Sequence, residues 1–446
     1  MEIEGRLIKR IKTRTSITEE MPILAGQGQA GGGRNYRRAR QSARNTRGQN
    51  VTILFVCNAL SKGWEVSILG LLAFFQHQYE LPLYMVGILS AVFIVSQISI
   101  SLFAGKIAHA LHSRNVIFLS IAASAMAWLT LFLSGHVWLL YLAFMFGGIS
   151  SGLFEPIGNS LVARYSSMSN RATAIGNFAA FGDMGRIAVV AAATALAGML
   201  GADRACGILF VSGVIALVLA MILIPKANGA DPQTREIPLH LGDLVKNRKF
   251  RFATAAGIAD SFSSASLYIF IPFLLSAKGI ALADTLYFNV IFFTGFMSGR
   301  LVLGRLADRH GAPNTLMVAQ LTMAALLLML VWASGTITTV LLLFLLGIFT
   351  RGTSPIIRAM VADSLDEKTS FHDAFSAYSF ASRSSSALCR PIYGFLASYA
   401  GIAAVFYAAS AVAVSTLYPA AKYRGTGMPR RRKLKMGSGT ADIAEY

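Results

Sequence analysis

Apolar stretches of about 20 residues, broken by short polar or glycine-bearing interruptions, fill the chain from residue 51 to residue 417. That length crosses the hydrocarbon core of a bilayer as an α-helix. Twelve spans are predicted. Six fall at 51–75, 84–102, 116–133, 138–163, 172–200 and 206–224, and six at 252–275, 286–303, 315–332, 336–362, 374–399 and 402–417. The fold class expected is an all-α integral membrane protein.

The pattern repeats. Shifted by 199 residues, "GISSGLFEPI" from Gly148 falls on "GIFTRGTSPI" from Gly347, and "GKIAHALHSRN" from Gly105 falls on "GRLADRHGAPN" from Gly304. At a shift of 200, "LAGMLG" from Leu196 falls on "LASYAG" from Leu396. Two pseudo-symmetric six-helix halves (6+6) follow, residues 51–225 and 252–418, joined by a linker at 226–251. Parallel repeats of this kind place a solute site between the halves near the bilayer midplane.

Composition agrees. Of 446 residues, 54% are hydrophobic and only 14% charged, against about a quarter in a soluble domain. The net charge of +19 is concentrated in tail 1–50, the linker and tail 419–446. Loops after even-numbered spans carry Lys106, Arg114, Arg164, Arg171, Arg305, Arg309 and Lys368, whereas those after odd-numbered spans carry only Arg204 and Lys278. Positive residues stay on the cytoplasmic side, so both termini are expected there, with a bacterial inner membrane as the location and a specialised internal membrane still open. The runs "RNYRRAR" and "RRRKLK" suit anionic lipid headgroups better than nucleic acid. The first tail reads as disordered. Its "GQGQAG" matches a dinucleotide-binding pattern, but without the strand and helix that reading requires. The tail has no apolar stretch of the signal-peptide kind, so the first span is expected to act as the targeting signal. Cys57, Cys206 and Cys389 are scattered and form no disulfide framework. No metal-ligand spacing, nucleophile elbow or phosphate loop is present, so neither an enzyme nor a cofactor is expected.

"GRLADRHG", Gly304 to Gly311, resembles the loop motif of the major facilitator superfamily and lies between spans eight and nine, one of the two places where that family has it. The resemblance covers residues 51–417 and implies a secondary transporter working by alternating access. It also implies a gating role for Gly304, Asp308, Arg309 and Gly311, with Asp308 near Arg171 at the start of span five. In the first-half copy, Gly105 is kept and His109 replaces the aspartate. The glycine–proline motif of the family's proton-driven drug exporters is absent from span five, which reads "GDMGRIAVV".

Charges inside spans are costly and mark functional faces. On a helical projection Asn58, Lys62 and Glu65 share one face of span one. Glu155 and Asn159 share a face of span four with Gly148 and Gly152. Span five holds Asp183 and Arg186, span seven Asp260, span ten Arg351 and Arg358, and span eleven Arg383 and Arg390. Counting six bases against four acids leaves an excess of two positive charges. Guanidinium suits planar anions. The site expected therefore holds a small anionic organic solute, or an anionic metal chelate. Its cationic and polar contacts are Arg351, Arg383, Arg186, Lys62, Asn58, Asn159, Arg358 and Arg390. Glu65, Glu155, Asp183 or Asp260 carries the coupling proton. Two alternatives stay open: a cationic or amphipathic drug exporter relying on the acids, and a transporter-like sensor or assembly scaffold acting through the tails.

Overall fold

The computed structural model describes residues 52–165, 171–224, 246–365 and 371–426. Within these, the side chains at 109, 163–165, 171–176, 282–286, 301, 351 and 371–373 lie outside the description, as do both tails and most of the linker.

Eleven helices are long and apolar enough to cross a membrane. In chain order they are α1 (Thr52–Gln78), α2 (Leu83–Leu111), α3 (Ser113–Phe132), α4 (Val137–Tyr165), α5 (Arg171–Leu200), α6 (Ala202–Leu223), α7 (Arg248–Ala277), α8 (Leu282–His310), α9 (Ala312–Trp332), α10 (Thr336–Asp363) and α12 (Ile402–Gly425). The twelfth, α11 (Phe371–Ala400), has 30 residues, a length of about 45 Å. It falls short only in hydropathy, because it carries "SRSSSALCR" at its middle. The predicted spans are met, with ends that differ by up to nine residues.

The two halves repeat in detail. In the first half α2 packs on α4, α3 on α4 and α3 on α6; in the second α8 packs on α10, α9 on α10 and α9 on α12. A Cβ on Gly148 would sit 2.1 Å from the Phe93 carbonyl oxygen, and one on Gly347 would sit 2.1 Å from that of Phe292. Both pairs are related by the 199-residue shift. Small residues at such crossings let backbones touch, which is how helices associate where water supplies no drive. The turn between α2 and α3 uses His112 at φ 66°, and its repeat mate between α8 and α9 uses Gly311 at φ 86°.

The halves meet along two related seams, α2 against α11 and α5 against α8. At the end of the bundle far from Thr52, a Cβ on Gly87 would lie 2.5 Å from the Arg390 carbonyl oxygen and 3.0 Å from the Gly394 Cα. Tyr84 stacks on Phe395 with centroids 5.5 Å apart. The final turns of α1 also touch the second part of α7 there. That end is closed. Towards the end where α1 begins, a cavity of about 500 Å³ separates the halves.

Two helices of the second half are interrupted in mid-course. The helical ladder of α7 breaks at Ala265 and Ser266, and that of α10 at Gly352 and Thr353. Asp260, only 6% exposed, accepts from Thr353 Oγ1 at 2.7 Å and from Gln320 Nε2 at 2.5 Å, tying α7 to the α10 break and to α9.

Candidate functional site

Glycines set the position of the first-half charges. A Cβ on Gly185 would fall 2.0 Å from the Ala59 carbonyl oxygen, and one on Gly63 would fall 2.4 Å from Val189 Cγ2. The α1 and α5 backbones therefore run in contact. Asn58 Nδ2 donates to the Phe178 carbonyl at 2.6 Å, fixing the register that sets Lys62 beside Asp183 and Arg186.

Lys62 Nζ bridges two carboxylates, Glu65 Oε2 at 2.8 Å and Glu155 Oε2 at 3.0 Å. The same Glu155 oxygen is reached by Arg383 from α11 at 3.1 Å. Glu65 is also held from α2: Gln97 Nε2 donates to Ser151 Oγ at 2.6 Å, and Ser151 Oγ donates to Glu65 Oε2 at 2.9 Å. Deeper in the wall, Asp183 accepts from Arg186 on its own helix and from Arg300 on α8. Asp183 is 3% exposed, whereas Glu155 and Arg383 are each 30% exposed. The acids of the first half thus meet cations of the second, and two ion pairs, Glu155–Arg383 and Asp183–Arg300, cross between halves. Breaking a buried pair from one side costs roughly 3–5 kcal/mol, because the survivor stays unpaired.

The cavity wall includes Asn58, Lys62, Glu155, Asn159, Asp183, Arg186, Arg300 and Arg358. Four of these are cationic and two acidic, an excess of two positive charges. Arg358 is exposed and has no ion-pair partner among the described residues. Arg186 and Arg300 also approach the Phe296 ring, with Cζ to centroid distances of 5.8 Å and 4.7 Å.

Several sequence expectations change. Asp260, expected among the proton-carrying acids of the site, does not line the cavity; its carboxylate serves the α10 break. Arg390 is 3% exposed and donates to the Ser90 carbonyl at 2.5 Å; it belongs to the α2–α11 seam and does not line the cavity. Gly152 does not face the cavity either, since a Cβ there would lie 2.5 Å from the Gln97 carbonyl oxygen of α2. The Arg351 side chain lies outside the described residues. Arg300 was missed altogether. Its signal was available as a charge inside span eight, one turn before the loop motif begins at Gly304.

Of the gating residues, Gly105 and Gly304 lie within α2 and α8 with open space around them. Asp308 and Arg309 are exposed near the end of α8, and Asp308 has no ion-pair partner among the described residues. The side chains of Arg171 and His109, their expected counterparts, lie outside the description.

The Major Facilitator Superfamily profile matches residues 51–297 and 253–443. An uncharacterized MFS-type transporter of Yersinia enterocolitica is 23% identical over 298 residues, 66% of this chain and 75% of the relative. Another, of Yersinia pestis, is 24% identical over 328 residues, 72% of this chain and 83% of the relative. The fold is shared with the nucleoside transporter NupG, at a TM-score of 0.70 and 13% identity over 85% of this chain and 99% of that one. A D-xylose-proton symporter follows at 0.68 and 13%, covering 83% and 96%. A bacterial homolog of the human lysosomal transporter Spinster, solved inward-facing and unoccupied, gives 0.66 and 14%, covering 85% and 96%. The matched profile spans both halves and the cavity between them, and the chain belongs to the Major Facilitator Superfamily as a multi-pass secondary transporter.

Proposed function

We propose that the chain carries a small anionic organic solute, or an anionic metal chelate, across a bacterial inner membrane by alternating access, driven by a coupled proton. The observation that carries this reading is the mode of binding of Glu155. Its carboxylate is held by Lys62 of the first half and Arg383 of the second, as a solute carboxylate between the halves would be. Protonation of Glu155 would free both cations for the solute. Arg358, exposed on the wall and without an ion-pair partner among the described residues, adds a guanidinium suited to a second anionic oxygen. The positive-inside distribution of lysine and arginine supports cytoplasmic termini, which makes this conformation inward-facing. Asp308 would then latch against the positive amino end of α5 in the opposite state.

A cation exporter is disfavoured because, among the described lining residues, four cations face two acids, and Glu155 and Asp183 are each engaged by two cations. The test is uptake by proteoliposomes of labelled carboxylates against labelled amines. Carboxylate flux that responds to a proton gradient and falls at least tenfold in Arg358→Ala supports the reading. Amine flux that survives Arg358→Ala but stops in Glu155→Gln would replace it with the cation reading. Binding that ignores the charged wall and fails on removal of residues 1–50 would favour a scaffold.

A further inference from the structure

We infer that Arg390 is the solute's guanidinium contact in the opposite conformation, when the bundle opens at the end that is closed here. The inference rests on the anionic reading of the main cavity, and it assigns a second anion contact that this cavity does not contain. Arg390 is 3% exposed, and Nη1 donates to the Ser90 carbonyl of α2. Among the described residues its Nε has no hydrogen-bond partner, and no acid pairs with it. Burying a cation without an acid to answer it is costly, and packing does not demand it here. At a shift of 200 the same place in α5 is Val190, 2% exposed, so the related α5–α8 seam closes on an apolar side chain. The charge at Arg390 therefore weighs against the closed seam and calls for a use in another state.

Helix geometry says where that use arises. Arg383 and Arg390 are seven residues apart, which sets them on one face of α11 about 10 Å apart along its axis. At the level of Arg383 that face meets Glu155 on the cavity wall. At the level of Arg390 it is sealed against α2, where a Cβ on Gly87 would lie 2.5 Å from the Arg390 carbonyl oxygen. Pro391, next in the chain, removes a rung of the α11 ladder there, and helices bend at such positions. Rocking of the halves that opens the far end has to part α2 from α11. The guanidinium then faces the new opening, free to take a carboxylate, phosphate or sulfonate in its fork. Arg383 and Arg390 thus give an anion one cationic contact towards each end of its path.

Ser90 is fully buried here, so Ser90→Cys reports the opening, in the full-length protein with Cys57, Cys206 and Cys389 replaced by serine. Two methanethiosulfonate reagents, the sulfonatoethyl anion and the trimethylammonioethyl cation, are applied to proteoliposomes from the face opposite Thr52. The first is itself a small organic anion. Both are expected to label Ser90→Cys. Arg390→Gln should lower the anion-to-cation rate ratio about tenfold, the effect of one charge about 5 Å away in water on probes of opposite sign. Arg390→Lys keeps the charge and should hold the ratio within about threefold. Melting temperatures check folding, and Arg390→Met replaces Arg390→Gln if the latter does not fold. A ratio that ignores the neutral variant overturns this inference, as does absence of labelling even in the Arg300→Ala background, which releases the α5–α8 tie. Either result leaves the anion reading standing, because labelling involves no solute; that reading falls separately, on absence of carboxylate flux.

Discussion

Arg383 of α11 and Lys62 of α1 share a single acceptor, the Oε2 atom of Glu155, at 3.1 Å and 3.0 Å. One cation belongs to each half of the transporter, so one carboxylate oxygen of α4 ties the halves at the depth of the cavity. Two charges stand within a membrane-spanning segment at Lys62 and Glu65 because each is answered at close range, Lys62 by two acids and Glu65 by Lys62 and Ser151.

The pairing of Lys62 makes a cycle of variants decisive. Lys62→Ala combined with Glu65→Gln or Glu155→Gln should show coupling energies of about 1–3 kcal/mol, since contacting residues fail to add. Lys62→Ala combined with Asp260→Asn should be additive to within about 0.5 kcal/mol, because the Asp260 carboxylate is turned to Thr353 and Gln320. Unfolding of the purified variants in detergent measures all three. Strong coupling to Asp260 would contradict this network.

Asp183 and Arg300 tie α5 to α8 in the conformation described here. Among the described residues, Arg300→Ala leaves Asp183 with Arg186 alone and removes that tie. It should move the population away from this conformation, in which Ser354 lines an open cavity. A single cysteine introduced at Ser354 should then react more slowly with a water-soluble maleimide in the Arg300→Ala background, by up to about fivefold if the tie contributes about 1 kcal/mol. Equal rates would show that the pair does not bias the two states.

The turn between α2 and α3 offers a test of the repeat. His112 has φ 66° and ψ 141°, in a region that is essentially reserved for glycine and costs other residues about 1–3 kcal/mol. Its mate Gly311 has φ 86° and ψ 142°. His112→Gly should raise stability by about 1 kcal/mol after the added freedom of the unfolded chain is discounted. Gly311→Ala should lower it by a similar or larger amount. The two melting temperatures, taken at matched detergent and pH, check both signs.

The helices and their repeat were legible because they are written in local periodicity. Gly148 and Gly347 are 199 residues apart in sequence, and they pack on carbonyls of Phe93 and Phe292, also 199 apart. The partners of Lys62 were legible because i+3 spacing and charge complementarity name Glu65 and leave few other acids to weigh. What failed needed knowledge of neighbours. A helical projection groups Gly152 with Glu155, but the arc they share is wide enough for one to pack on α2 while the other faces the cavity. Asp260 reads as one of the site's acids until Gln320 and Thr353 arrive from α9 and α10. Arg300 escaped because the repeat sets Ser101 at its place in the first half. Nothing local to α8 announces that Asp183 of α5 will lie against it.

Neutralising Glu155 distinguishes a coupling acid from a binding acid. Its carboxylate occupies Lys62 and Arg383, so a solute anion has to compete with it whenever the acid is ionised. Glu155→Gln removes the competitor and keeps the shape. Anion binding at neutral pH should therefore tighten, by about tenfold for the release of one charge-assisted contact, and should lose its dependence on pH. Exchange of labelled for unlabelled anion across proteoliposomes should continue, because it needs no net proton movement, while accumulation driven by a proton gradient should stop. Lys62→Ala and Arg383→Ala should each weaken binding instead, with Arg383→Lys restoring it poorly because an ammonium cannot supply the guanidinium fork. If Glu155→Gln abolishes exchange as well as accumulation and leaves anion affinity no tighter, Glu155 contacts the solute directly, and the solute is then a cation or a hydrogen-bond donor rather than an anion.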